Sequence, residues 1–273
     1  MKKEKILKSC RDNCEKFKET IDNEEYQLRG IFNSEALLIV SIVDYFKVRH
    51  IIESGRARGH STNIIAKFFK DNSEIKITSI DFDKFSEDAK YSEKYLSRYK
   101  NIEILYGDSN KMIVNQINQD CVVFIDGPKG NDAIQLAVRL LSDDRVKAVM
   151  LHDFHKNEFL RNVCEIIFKN YFFSDDKDFV ELFRNLDDSC WEKLKDTDEA
   201  PYYRKGKKIN SYASTLGVFF NSENPIRKLV YKNYLSNLEQ QKPTLQKVFI
   251  QNISHDSMFY KISRKIYKSF IKR

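Results

Sequence analysis

Glycine and proline are scarce in this chain of 273 residues, eight and four in number, which excludes collagen-like, linker-rich and many-turned all-β architectures. Tryptophan occurs once. No apolar run approaches the ~18 residues that a membrane span requires. The basic start MKKEKILKSCRDNCEKFKE lacks the apolar stretch of a signal peptide. Five cysteines, Cys10, Cys14, Cys121, Cys164 and Cys190, are odd in number and form no CxxC pair. They read as reduced thiols of a cytosolic protein, not as a disulfide frame or a zinc site. Cys10 and Cys14, four apart, are expected to share one face of a helix.

What is present suffices for a packed core: 41% of residues are hydrophobic and 13% aromatic, so global disorder is excluded. The length suits one α/β domain with additions. The net charge of +7 is uneven. From Pro225 to Arg273 eleven Lys/Arg face only Glu239 and Asp256, a local +9, which leaves the rest of the chain at −2.

Residues 4–21 predict a polar helix with a narrow apolar stripe, and Glu35–Lys47 a buried one capped by Asn33 or Ser34. Strands are expected at His50–Glu53, Ile75–Ile80, Ile102–Tyr106, Cys121–Ile125 and Val146–Leu151. Helices are expected at Ser61–Lys70, Lys84–Arg98, Lys111–Asn118, Asp132–Leu141 and Asn157–Asn170. Short apolar strands alternating with helices predict a doubly wound parallel sheet. A further strand is expected at Phe179–Phe183, and a last one at Tyr212–Phe220.

The first strand runs into Glu53-Ser54-Gly55-Arg56-Ala57-Arg58-Gly59-His60-Ser61-Thr62. A Gly-rich turn into a helix lets backbone approach a ligand and aims free N–H groups at it. The P-loop pattern GxxxxGK[ST] is absent, and the dinucleotide pattern GxGxxG fits only at Gly55. The second strand ends in Asp81-Phe82, with Asp81 lying 22 residues past Gly59, where a carboxylate can grip a ribose diol. The third ends in Tyr106-Gly107-Asp108-Ser109.

Glu53, Gly55, Ala57 and Gly59 resemble motif I of the class I S-adenosylmethionine-dependent methyltransferases, with alanine at one glycine position. The resemblance spans about Ile51 to Phe220. It implies a Rossmann-like fold, ribose binding by Asp81, adenine contact by Phe82, and the family's G-D element at Asp108. Arg56, Ser61, Thr62, Ser109 and Asp126 complete the cofactor-binding candidates.

Chemistry is expected after the fourth and fifth strands, which lead into Asp126-Gly127-Pro128-Lys129 and His152-Asp153-Phe154-His155. In an open parallel sheet ligands sit beyond the carboxyl ends of strands, so Asp126, Lys129, His152, Asp153 and His155 should share one crevice. A hydroxyl acceptor needs a base, a Lewis-acid metal, or both. Lys129, His152 and His155 are base candidates. Asp126 and Asp153 offer hard oxygens for Mg²⁺ or Mn²⁺, and His152 is a third candidate ligand. The D-x-x-K spacing resembles catechol-type metal-dependent O-methyltransferases. The I-D-G and H-D elements resemble bacterial sugar and small-molecule O-methyltransferases. The family's base-methylating members carry [ND]-P-P-[YF] where this chain has D-G-P-K, and the nearly neutral catalytic half is no duplex-reading footprint; nucleic acid is disfavoured as acceptor.

The expected organisation is an N-terminal helical cap (1–48), a methyltransferase domain (49–222) with a substrate loop at 175–210 bearing Trp191, Tyr202, Tyr203 and Arg204, and a basic helical extension (223–273). The extension places Phe259, Ile262, Ile266 and Phe270 on one helical face among basic residues. That pattern suits packing against the body or a second subunit, or peripheral contact with the inner face of an anionic membrane. The resulting expectation is a cytoplasmic O-methyltransferase for a sugar hydroxyl of a surface polysaccharide or its lipid-linked precursor. A small phenol or natural product as acceptor, a non-catalytic cofactor-binding scaffold in glycan assembly, and an RNA methyltransferase are the alternatives.

Overall fold

The structure is a computed structural model, and it describes residues 2–22, 24–27, 30–155, 159–168, 170–197 and 215–221. All belong to one compact unit, Met1–Glu223. Helices α1 (Lys2–Ile21) and α2 (Asn33–Phe46) precede five βα units: β1 (His50–Ser54), α3 (His60–Phe68), β2 (Lys76–Asp81), α4 (Glu87–Leu96), β3 (Ile102–Tyr106), α5 (Ser109–Gln116), β4 (Cys121–Ile125), α6 (Gly130–Leu140), β5 (Val146–Leu151) and α7 (Phe159–Ile167). Strand β6 (Tyr171–Phe173), helices α8 (Lys177–Phe183) and α9 (Asp188–Leu194), and strand β7 (Gly217–Phe220) follow.

The sheet order is β3-β2-β1-β4-β5-β7-β6. Strands β1 to β5 pair in parallel, while β7 runs antiparallel to both β5 and β6. This is the doubly wound, Rossmann-like sheet that the strand–helix alternation and the first-strand motif implied. The central strands HIIES and CVVFI are buried at every position, as strands covered on both faces must be. Chain order reverses between β1 and β4, and such a switch point opens a crevice at the carboxyl ends of the strands. Helices α1 and α2 share the sheet's core: Ile6, Leu7, Cys10 and Phe17 pack with Leu37, Val40, Ile51, Val122 and Val218. Cys10 is buried and Cys14 half-buried, and both are free thiols, like the other three.

Three local expectations are corrected. Phe179–Phe183 is helix, not strand: Phe179 and Phe183, four apart, are both buried, and Asp176 caps the turn by accepting from Asp178 N. That is helical spacing, which outweighs the β preference of phenylalanine. The cap of α2 is neither Asn33 nor Ser34 but Phe32, in extended conformation. Trp191 lies on α9, buried with Tyr26, Phe32, Cys190 and Leu194, so its ring is packing surface and not a platform open to sugar. Strand β6 was not foreseen. The expectations for Tyr202, Tyr203, Arg204 and the basic extension lie outside the described residues. Among those described, no helix is long and apolar enough to cross a membrane.

Candidate functional site

Backbone bonds line up the carboxyl ends of the parallel strands. Gly55 N donates to Ile80 O at 2.9 Å, Gly107 N to Asp81 O at 2.9 Å, Asp126 N to Ser54 O at 2.7 Å and His152 N to Ile125 O at 3.1 Å. Each bond carries the parallel ladder one residue past its strand, so the four loops start side by side. The loops after β1 and β4 touch. A Cβ on Gly55 would lie 2.7 Å from Gly127 N and 2.8 Å from the Asp126 carbonyl carbon, and φ of +87° at Gly55 is itself left-handed. Glycine is required there on both counts. Ala57, with φ of 44°, takes the left-handed conformation that the family pattern gives to a glycine.

Two carboxylates hold this turn. Glu53 is fully buried beneath it and accepts from the hydroxyls of Ser61 and Thr62, and from Ser79 Oγ at 2.7 Å. Burial pushes its pKa up against those donors. Asp81 Oδ2 accepts from the backbone N–H groups of Arg56 at 2.8 Å and Ala57 at 2.9 Å. Its Oδ1 meets Asp83 N at 3.3 Å. The hydroxyls of Ser61 and Thr62 are therefore engaged from below, and it is the backbone of the first turn of α3, with N–H groups that have no helical acceptor, that faces the crevice. The Arg56 side chain also turns inward. Its Nη1 donates to Ser79 O at 2.8 Å, its Nε to Ser92 Oγ at 3.1 Å, and its guanidinium stacks over the Tyr106 ring at 4.8 Å.

Phe82, directly after β2, is 79% exposed. Asp108 caps α5 by accepting from Asn110 N at 3.0 Å. Ser109 Oγ accepts from Ser54 Oγ at 2.7 Å, which ties the third loop to the first. The crevice between Gly55, Ala57, Ser61 and Asp126 is closed from the N-terminal side by Gly30 and Ile31. This strap, unlike the Gly55–Gly59 turn, carries no sequence signal for what it covers. A Cβ on Gly30 would lie 2.5 Å from His60 Cδ2, and Tyr26 meets the same imidazole edge-on at 5.0 Å. His60 is buried and held neutral, pushed down to about 4 by burial. Its Nε2 is a buried polar atom without a hydrogen-bond partner, in the lining of the crevice. The space between these residues is about 250 Å³ with the open mouth included.

Across the crevice, four of the five expected catalytic residues come together. Lys129 Nζ bridges the carboxylates of Asp126 and Asp153, at 2.6 Å from Asp153 Oδ2. His152 Nδ1 lies 2.8 Å from Asp126 Oδ1 and 3.4 Å from Asp153 Oδ1. Asp153 adopts φ of +65°, a left-handed conformation that costs about 1 kcal/mol or more outside glycine. Paying it turns the carboxylate back toward Lys129. His155, half-buried, follows on the same loop. The Gly127–Pro128 bond between the two halves of D-G-P-K is cis.

The cluster's charges are coupled. Burial opposes charge on His152, but the carboxylates of Asp126 and Glu35 outweigh it and raise its pKa well above the ordinary histidine value. Burial likewise opposes charge on Lys129, and Asp126 and Asp153 overcome it to raise its pKa. Against the same opposition, His152 and Lys129 hold Asp126 and Asp153 below the usual carboxylate range. As they stand, Lys129 and His152 both bear protons.

Asp126, His152 and Asp153 each present a ligand atom, all within 4.8 Å of one another. The proton kept on His152 Nδ1 lies between it and the Asp126 oxygen at 2.8 Å, and a cation that binds there would take its place. Two oxygen ligands and one nitrogen suit a divalent cation, and the Lys129 ammonium already bridges the same two carboxylates. The residues therefore fit such an ion.

Glu35 was not foreseen here. It is the third residue of α2, fully buried, with Oε2 at 3.3 Å from His152 Nε2. Its position just inside a helix start is a visible capping signal, but nothing in the sequence links it to a residue 117 positions away.

No family model matches the sequence, and no curated protein matches it. A structural comparison returns several solved structures along most of the chain. Cofactor-bound Rv0187 from MTB is 16% identical over 76% of this chain and 88% of its own, with a TM-score of 0.43. The O-methyltransferase TomG of Streptomyces achromogenes, in complex with SAM, is 15% identical over 80% and 90%, with a TM-score of 0.39. The 23S rRNA methyltransferase ErmE is 15% identical over 79% and 82%, with a TM-score of 0.40.

Proposed function

We propose that this protein is an S-adenosylmethionine-dependent O-methyltransferase whose acceptor is a sugar hydroxyl of a surface polysaccharide or its precursor. The observation that carries the reading is a meeting at one switch point. A left-handed Gly-rich turn held by Asp81 faces the Asp126–Lys129–His152–Asp153 cluster across a single crevice. Gly55, Ala57 and Gly59 would receive the methionine part of the cofactor, Asp81 Oδ1 its ribose, Phe82 its adenine, and Asp126 stands beside its reactive centre. When bound, S-adenosylmethionine supplies a methyl group already activated for displacement.

The chain's own task is alignment of the acceptor oxygen and removal of its proton. With both Lys129 and His152 protonated, the cluster orients and neutralises but does not accept a proton. A Mg²⁺ or Mn²⁺ ion held by Asp126, His152 and Asp153 would act as Lewis acid on the hydroxyl. Lys129, no longer paired with both carboxylates, would then lose the contacts that keep its pKa high. The sugar, rather than a phenol, rests on the resemblance of the I-D-G and H-D elements.

The test is a thermal-shift comparison of S-adenosylhomocysteine with NAD⁺ and ATP. At about 100 times Kd the first should add about 2.7 kcal/mol, a rise in Tm on the order of 5 °C, with no shift from the others. Asp81→Ala should remove that shift. Because Asp81 also anchors the turn, its own Tm should fall as well. Labelled methyl transfer to glycan extracts, suppressed by EDTA and restored by Mn²⁺, would support the acceptor and the cation. Transfer to phenols alone would replace the sugar, and absence of any homocysteine-derivative shift would end the reading.

A further inference from the structure

The start of α2 meets the acceptor side of the crevice through one carboxylate. Glu35 is 0% exposed, although a helix-start glutamate ordinarily serves its own backbone in contact with water. Its Oε1 accepts from Thr215 Oγ1 at 2.7 Å, from Thr215 N at 3.3 Å and from Ser174 Oγ at 3.5 Å. Its Oε2 accepts from Phe32 N at 3.3 Å and lies 3.3 Å from His152 Nε2. Donors from three separate segments, the helix start and the residues flanking β6 and β7, thus clamp the carboxylate. It cannot follow His152 if the ring rotates. His152 in turn has its backbone bonded to Ile125 and its ring set edge-on to Phe124 at 6.3 Å between centroids.

An imidazole nitrogen facing a clamped carboxylate must carry hydrogen, because two acceptors repel. That leaves Nδ1 to face Asp126 and Asp153. We infer that Glu35 is a positioning residue of this site: it accepts the hydrogen bond that His152 Nε2–H donates and so commits Nδ1 to the Asp126–Asp153 side. Whether a proton or a divalent cation bridges Nδ1 to those carboxylates, the ring is presented in one orientation. This is the arrangement by which a carboxylate behind a histidine fixes its tautomer and aim. The inference rests on the proposed function for the meaning of the acceptor side, but its geometry stands without it. It also gives the N-terminal helices a role in the site.

The experiment is long-range ¹H–¹⁵N spectroscopy of the full chain with labelled histidine at neutral pH. The chain has five histidines, and His152→Gln assigns the signals of interest by their disappearance. The expected result is a protonated, exchange-protected Nε2 in the wild type. Glu35→Gln should lose that protected proton while keeping the thermal shift with S-adenosylhomocysteine, and Glu35→Asp should retain it in part. An unprotonated or freely exchanging Nε2 in the wild type overturns the inference, as does a Glu35→Gln spectrum identical to wild type. If Glu35→Gln does not fold, the wild-type and Glu35→Asp spectra decide. Failure of the wild type to bind S-adenosylhomocysteine would strike the proposed function alone, since the state of His152 is read separately.

Discussion

The two sides of the crevice are built by different physics. On the cofactor side the carboxylates of Glu53 and Asp81 are met by hydroxyls and backbone N–H groups, and shape is set by left-handed turn residues. On the acceptor side the carboxylates of Asp126, Asp153 and Glu35 are met by the cations Lys129 and His152. Neutral donors carry no charge that salt or a competing cation could reset. Charged partners hold a geometry that can be reset by a proton or a competing cation. A rigid cradle beside an adjustable cluster is what the proposed methyl transfer, with one constant and one chemically demanding substrate, would require.

The sharpest way to break this contrast is to add one methyl group to each side. Gly55→Ala puts a Cβ against backbone of the next loop at a positive φ, and should cost about 3 kcal/mol together with the S-adenosylhomocysteine shift. Gly130→Ala also has a positive φ, +68°, but its Cβ would meet only Leu160 Cδ1 at 3.8 Å. It should cost about 1 kcal/mol and leave cofactor binding intact. Urea denaturation of both variants measures the difference; equal losses would mean that the close approach of the two loops is not what constrains the turn.

The next effect is on pH. His60, pushed down to about 4 by burial, contributes stability that is present above the unfolded histidine value of about 6.5 and is lost as pH falls toward 4. His152, raised by Asp126 and Glu35 against burial, contributes stability that is present below about 6.5 and is lost as pH rises through its folded value. Between pH 7 and 4.5 the wild type should therefore lose on the order of 2 kcal/mol more than His60→Gln. Going alkaline, it should lose more than His152→Gln. Unfolding free energy against pH, measured without added divalent cation, reads both slopes. Matching slopes for all three proteins would remove the distinction.

The smallest expected effect sharpens the assignment of one residue. Asp108 caps α5, so Asp108→Ala should cost about 1 kcal/mol. If cap is its whole role, S-adenosylhomocysteine affinity will be unchanged; weakened binding at equal stability would return Asp108 to the cofactor side.

Much of the fold was legible because its signals are local. Strands β3, β4 and β5 lie where apolar runs between turn residues placed them, and the Gly55–Gly59 turn follows from glycine spacing. Asp126, Lys129, His152 and Asp153 converge because parallel strands put their carboxyl ends on one edge. The helix at Phe179–Phe183 was missed because five residues with two phenylalanines satisfy a strand's preference as well as a helix's period. Trp191 was misread because an aromatic among charges looks exposed until its neighbours Tyr26 and Phe32 are known.

The sequence by itself determined the order of strands and helices, the turn that must be left-handed, and the residues that stand at strand ends. Those depend on spacing along the chain and on the conformations that glycine alone adopts easily. Only the tertiary structure decided where carboxylates meet their partners. Glu53 faces hydroxyls below the turn, Asp81 also holds the turn, and Glu35 stands behind His152, because contacts between residues up to 117 positions apart are set by packing, which leaves no periodic trace in the chain.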